Sequence, residues 1–355
     1  MRLSDSILLR ALREPAGMKG YDPETWDLLV RQAHGAGLLG RLGALVRAHG
    51  LDNALPKSVL RHLHAMLSIA DRQRTAVHWE VHHLADAMEG IQGRVLLLKG
   101  AAYAAANLPP AEGRTFSDID ILVPKRLLPE VELRLTVAGW VTTHRDSYDQ
   151  RYYRKWMHEL PPMFHLERET SLDVHHGILP ETARIRTRPD LIIEAALPLP
   201  GYGNIYIPCQ ADQILHSATH LFHEGEWWHG LRDLSDLDCL LRSYGCLPDF
   251  WATLLARARA LNLLGPLGYA LRLTRTLLDT PIPVEMLKLT RSSFRRSFMD
   301  ALFRHGMGAA HHSLATPLTR PSEFLLYIRS HWLKMPLHLL LPHLLYKATR
   351  KEEIA

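Results

Sequence analysis

The chain has 355 residues, with 42 Lys and Arg against 37 Asp and Glu, 47% hydrophobic residues and 22% charged ones. That balance is ordinary for a globular protein and excludes long disorder and fibrous architectures. The net charge of +5 is uneven, because residues 281–355 hold eleven Lys and Arg against five Asp and Glu and leave −1 for everything before them.

Three cysteines (Cys209, Cys239 and Cys246) make no CxxC pair and cannot complete a disulfide set, which fits a reducing compartment. The start of the chain mixes Arg2, Asp5, Arg10 and Arg13 with short apolar steps, unlike a secretory signal. No stretch reaches the ~18–20 apolar residues of a spanning helix. The expected location is the cytoplasm.

Residues 1–92 read as an N-terminal helical region. Between Pro56 and Gln92 there is no Gly before Gly90, and apolar residues recur at three and four steps. At Arg94 the pattern changes. Val95-Leu96-Leu97-Leu98 predicts a buried strand, Ala101–Asn107 a helix, Ile119–Val123 a second strand closed by Pro124, and Leu127–Ala138 a helix stopped by Gly139. Short strands follow at Val141–His144, Tyr152–Arg154, Met163–Leu166, Leu172–His175 and Ile205–Ile207. Helical periodicity then returns. The expected fold class is α+β: a small mixed-sheet core at 93–208, between the helical region 1–92 and a C-terminal helical domain 209–355 with a basic tail.

The segment Ser117-Asp118-Ile119-Asp120-Ile121-Leu122-Val123 carries the chemistry. Residues two apart on a strand share a face, so Asp118 and Asp120 project together while Ile119, Ile121 and Val123 face the core. Two adjacent carboxylates repel, and hard oxygen ligands on a rigid strand suit Mg²⁺. The plainer alternative is one Asp capping a turn and the other solvated at a strand end. Leu98-Lys99-Gly100-Ala101 adds a strand-to-helix junction that aims backbone N–H groups at an anion. Ser171-Leu172-Asp173-Val174-His175 adds a third carboxylate on another strand. Together these are the parts of a two-metal phosphoryl-transfer site.

The Leu97-Leu98-Lys99-Gly100-Ala101-Ala102, Arg114…Asp118-Ile119-Asp120-Ile121-Leu122-Val123 and Leu172-Asp173-Val174-His175 stretches resemble the polymerase-β-like nucleotidyltransferase superfamily. More narrowly, they look like its bacterial branch of uncharacterised nucleotidyltransferases. The resemblance covers residues 93–176, with a weaker likeness around Asp212, His216 and Asp236. It implies transfer of a nucleoside monophosphate from an NTP, expected to be ATP, to a small molecule, sugar, peptide or protein, with release of pyrophosphate. Asp118, Asp120 and Asp173 would bind Mg²⁺ or Mn²⁺ and carry catalysis, Asp173 also as general base. Lys99, Gly100, Ala101, Arg114, Ser117, Asp212 and His216 would contact the nucleotide. Lys99 reads equally as a strand-end salt bridge. Arg114 reads rather as an anchor for the Asp118–Asp120 strand. The sequence departs from the superfamily in having Gly100-Ala101 where Gly-Ser or Gly-Gly is usual.

Asp212, His216, His220 and His223 share one helical stripe but lack the HExxH zinc pattern, so a polar stripe lining a cleft is the preferred reading. Arg151-Tyr152-Tyr153-Arg154-Lys155-Trp156 interleaves cations and aromatics, as single-stranded nucleic-acid platforms and edge strands both do. One such cluster does not support a nucleic-acid partner. The tail at 328–351 combines apolar bulk with cations and suggests weak peripheral membrane contact, against the preferred reading of a helix pair broken at Pro336 and Pro342. No partner protein is legible. The alternative functions are a catalytically inactive nucleotide-binding scaffold and a membrane-surface adaptor.

Overall fold

The computed structural model describes residues 3–142, 146–289 and 294–342. Four helices precede the first strand: α1 (Ile7–Arg13), α2 (Pro23–Gly35), α3 (Leu39–Ala48) and α4 (Lys57–Ala87). Side-chain caps start the first two. The Ser6 hydroxyl accepts from the Leu9 N–H, and the Asp22 carboxylate accepts from the Thr25 N–H ahead of a first-turn Pro23. Helix α4 runs uninterrupted for 31 residues because no Gly or Pro breaks it. Its buried residues Leu63, Leu67, Ala70, Val77, Val81 and Leu84 follow the helical period.

The chain then alternates: β1 (Val95–Leu97), α5 (Lys99–Ala105), β2 (Ile119–Leu122), α6 (Leu128–Val137), β3 (Trp140–Thr142), α7 (Ser147–Trp156), β4 (Met163–His165), β5 (Ser171–His175), α8 (Pro189–Glu194), β6 (Leu197–Pro198) and β7 (Ile205–Ile207). The strands form one seven-stranded mixed sheet in the order β3-β4-β5-β2-β1-β7-β6. Strand β2 runs parallel to β5 and antiparallel to β1, which runs parallel to β7. The fold is therefore α+β, as expected. Strand alternation divides the core in two. Leu97, Ile119, Ile121, Leu172, Val174 and Ile205 face one cluster with Val77 and Val81 of α4, and Leu96, Leu98 and Leu122 face the other.

One predicted strand is a helix. Tyr152–Arg154 lies inside α7, where Tyr152 packs edge-on against Trp156, four residues on, at 6.1 Å. Arg154 reaches Gln150 on its own helix at 2.9 Å and Glu132 on α6 at 2.9 Å. The alternation of cations and aromatics mimics a two-residue period, but the Tyr152–Trp156 and Arg154–Gln150 contacts are four apart. Strand β3 starts one residue before the predicted Val141–His144, and Thr143 and His144 lie outside the described residues. Strand β6 is two exposed residues and has no hydrophobic pattern to announce it.

The remaining helices are α9 (Gln210–His223), α10 (Gly230–Tyr244), α11 (Phe250–Ala260), α12 (Leu264–Leu278), α13 (Val284–Leu289), α14 (Phe294–Met307) and α15 (Thr319–Lys334). Their leucines share one buried cluster with Leu8, Leu9, Leu29 and Leu42 of α1–α3, so both helical segments close over the same sheet face. Within the basic tail, Arg329 donates to the Phe222 carbonyl at 2.6 Å and Lys334 lies 3.1 Å from Glu224. These cations tie α15 to α9. The tail beyond residue 342 lies outside the described residues. Among the described residues, no helix is long and apolar enough to cross a membrane.

A buried ion trio fastens the layers around β2. Asp236 of α10 accepts from Arg41 Nη2 of α3 at 2.8 Å through one oxygen and from Arg114 Nε at 2.9 Å through the other. Arg41 also donates to the Pro110 carbonyl at 2.6 Å and the Ser235 hydroxyl at 2.9 Å. Beside it, backbone meets backbone. A Cβ on Gly40 would collide with the Gly113 carbonyl, and Gly113 itself has φ +64°. Asp236→Ala leaves two buried cations uncompensated and is expected to lower the unfolding free energy in urea by about 3–5 kcal/mol. Gly40→Ala, which must push α3 off the loop leading into β2, is expected to cost about 1–3 kcal/mol in the same measurement.

Candidate functional site

The parallel pairing of β2 with β5 sets the carboxylates. Asp120 is paired with Asp173, and Leu122 with His175, so Asp120, Asp173 and His175 share a face. Asp118 lies two residues before Asp120, just ahead of the strand, and accepts a hydrogen bond from the Ser117 hydroxyl at 2.7 Å. The opposite face of β2 is apolar, with Ile119 and Ile121 buried, which holds the acidic face in place.

Asp120 is 8% exposed and engaged at both oxygens. Lys99 Nζ lies 3.3 Å from Oδ2, and His175 Nε2 lies 3.0 Å from Oδ1. The other ring nitrogen of His175 lies 3.1 Å from Glu159, giving a chain Glu159–His175–Asp120. Burial opposes ionisation of Asp120, but Lys99 and His175 outweigh it and hold the carboxyl well below its usual range. Asp173 has no ion pair among the described residues, although the charge of His175 lowers it in part. Burial first, then the charge of Asp120, push its pKa up to about 7. Lys99 is raised despite its burial, because Asp120 and Asp118 face it. It also adopts φ +40°, an unusual backbone state for a non-glycine residue, at the turn from β1 into α5.

A cavity of about 130 Å³ opens over this face. Of the sequence-predicted residues, Lys99, Gly100, Arg114, Ser117, Asp118 and Asp120 line it. Gly100 is required there, because a Cβ would stand 2.7 Å from Arg114 Nη1 and 3.1 Å from the Phe116 ring. Arg114 anchors the strand, bonded to Asp236 and, at 3.2 Å, to the Thr115 carbonyl. Asp173 sits beside Asp120 and outside the cavity lining. Ala101 is buried in the apolar cluster beneath the sheet and does not reach the cavity.

Asp212 is placed elsewhere too. It is fully buried and bonded to Arg257 of α11, with Arg257 Nε donating at 2.9 Å, so it joins α9 to α11. His216 is buried outside the lining and held neutral, first by burial and then by the charge of Lys99. On the same stripe, His220 does line the cavity.

The sequence reading misses several residues. Arg232 and Asp233 of α10 line the far wall with Asp236, and their spacing of three to four is the signal that places them together. His175 is two residues past Asp173 on a strand, which already puts both side chains on one face. Glu159 reaches His175 through an isolated antiparallel bridge that no local pattern foretells.

Ligand atoms of Asp120, Asp173 and His175 lie within 4.8 Å of one another, as do those of His158, Glu159 and His175. Lys99 and Arg232 beside carboxylates on adjacent strands can bind a phosphate chain together with a divalent cation. Searches of curated proteins and of solved structures return no match to the chain. Residues 22–279, which include every strand and all the cavity residues, match the uncharacterised nucleotidyltransferase family, and the chain belongs to that family.

Proposed function

We propose that this chain transfers a nucleoside monophosphate from an NTP, with ATP as the expected donor, to an acceptor hydroxyl and releases pyrophosphate. The observation that carries the reading is Asp173 set in register beside Asp120, on a face whose cavity also holds Lys99 and Asp118. The likeness of these segments to polymerase-β-like enzymes supports it.

The donor set fits Mg²⁺ or Mn²⁺. Asp118, Asp120 and Asp173 offer hard oxygens, and the Asp173 carboxyl is raised first by burial and then by the charge of Asp120, which a bound cation would offset. Held by these three residues, the cation would neutralise the carboxylates and polarise the phosphate oxygens. Lys99 and Arg232 line the space where a triphosphate would lie, and their charge orients it; His220 beside them, its pKa lowered by burial and then by Lys99, offers a hydrogen bond and not a charge. The acceptor oxygen attacks the α-phosphorus as the bond to the bridging oxygen breaks. Pyrophosphate leaves with that electron pair, and Asp173 takes the acceptor proton. Arg114 and Gly100 keep the β2 entrance and the α5 turn in position. The cytoplasm, with its NTP supply, is the compartment this reaction needs.

One observation favours a second reading, a nucleotide-binding module without turnover: Lys99 and His175 already occupy both oxygens of Asp120. Labelling separates the two. With α-³²P-NTP, Mg²⁺ and cell extract, the native chain is expected to label an acceptor, and Asp118→Asn/Asp120→Asn to reduce that labelling at least about 100-fold. Labelling that survives the double substitution overturns the assignment, and nucleotide binding without labelling selects the second reading. Proton release gives an independent check. Asp173 is largely protonated at pH 6, since its pKa stands near 7 against an ordinary 3.8. Mg²⁺ binding at that pH is therefore expected to release close to one proton, read by calorimetry in buffers of different ionisation enthalpy, and Asp173→Asn to release none.

A further inference from the structure

A second cavity, also of about 130 Å³, adjoins the first at the starting ends of β2 and β5. Ala76 and Val77 of α4, Phe116 and Thr170 wall it, and Ser117 and Asp118 line both cavities. Strand register relates it to the carboxylates. Asp120 and Asp173 are a pair, so Asp118 and Ser171 lie one step back along the same face. Ser117 and Asp118 are shared by the two cavities, so a group held in the second stands beside the Asp118 carboxylate, while Val77 and Ile119 line it from the apolar face of β2.

The two cavities differ in charge. The first sets three cations, Lys99, Arg114 and Arg232, among Asp118, Asp120, Asp233 and Asp236, whereas no Lys or Arg lines the second. Glu80 at its wall is engaged by Arg168, which donates at 2.8 and 2.9 Å. Glu169, exposed at its mouth, has no ion pair among the described residues. The Thr170 hydroxyl oxygen is shielded from solvent without a hydrogen-bond partner, a cost that a bound polar group removes. An apolar cavity of ~150 Å³ takes up benzene, so this volume suits one ring-sized group.

We infer that the second cavity is the acceptor site and takes a hydroxyl-bearing, uncharged or cationic molecule with a ring-sized apolar group. The inference rests on the nucleotidyl-transfer reading. The apolar group packs on Val77 and Phe116, the hydroxyl faces Ser117 and Asp118, and a cationic end meets Glu169. Acceptors that carry phosphate or carboxylate are repelled by Glu169 and Asp118 and find no cation to receive them.

Two probes with one ring and opposite charges test this on the full chain: tyramine and 4-hydroxyphenylacetate, followed by saturation-transfer NMR and calorimetry. Tyramine is expected to bind at least about tenfold more tightly than the acetate. Ala76→Trp, at an exposed helix position that fills the cavity mouth, and Glu169→Lys are each expected to weaken tyramine at least about tenfold. Absence of tyramine binding, equal binding of both probes, or binding unchanged by both substitutions overturns the inference. This readout needs no turnover, so its outcome is separate from that of the labelling assay.

Discussion

Asp236 between Arg41 and Arg114 is the constraint on which the site depends. Three charges are taken out of water, and such a cluster stays in place only because each partner satisfies the others. Arg41 comes from the N-terminal helices, Arg114 from the approach to β2, and Asp236 from the C-terminal helices. The trio therefore fixes the position of Asp118 and Asp120 relative to the α10 wall bearing Arg232 and Asp233. The bare approach of Gly40 to Gly113 is what lets α3 come close enough for Arg41 to reach.

Charge in the cavity follows a gradient across β1, β2 and β5. On the β1 side, Lys99 stabilises Asp120 as an anion. On the β5 side, burial and then the charge of Asp120 raise the pKa of Asp173. His175 sits between them, bridging Asp120 to Glu159. Two carboxylates of one kind, side by side on one sheet, thus acquire opposite tendencies, because both are buried and only Asp120 has Lys99 and His175 at its oxygens.

Much of the core was legible in the chain because its signals are local. A continuous apolar run predicts β1, alternation predicts β2 and β5, and a glycine-free helical period predicts α4. The same alternation sets Asp118 and Asp120 on one face. Tyr152–Arg154 reads as a strand because aromatics and cations in alternation satisfy a two-residue count, while Tyr152 and Trp156 find each other only at helical spacing. Asp212 and His216 share their stripe with His220, but Arg257 captures Asp212 from another helix, which no local pattern reveals.

By itself, the sequence determined the acidic strand, the glycine turn and the helical flanks, since periodicity and turn chemistry act between near neighbours. Only the tertiary structure decided that Asp173 stands in register with Asp120, that Glu159 and His175 continue the row, and that Arg232 and Asp233 close the cavity. It also decided that Arg114 serves Asp236. Those pairings join residues from 16 to 122 positions apart, and their partners are chosen by burial, which forces each charged group to find an opposite charge or a hydrogen bond before water is lost.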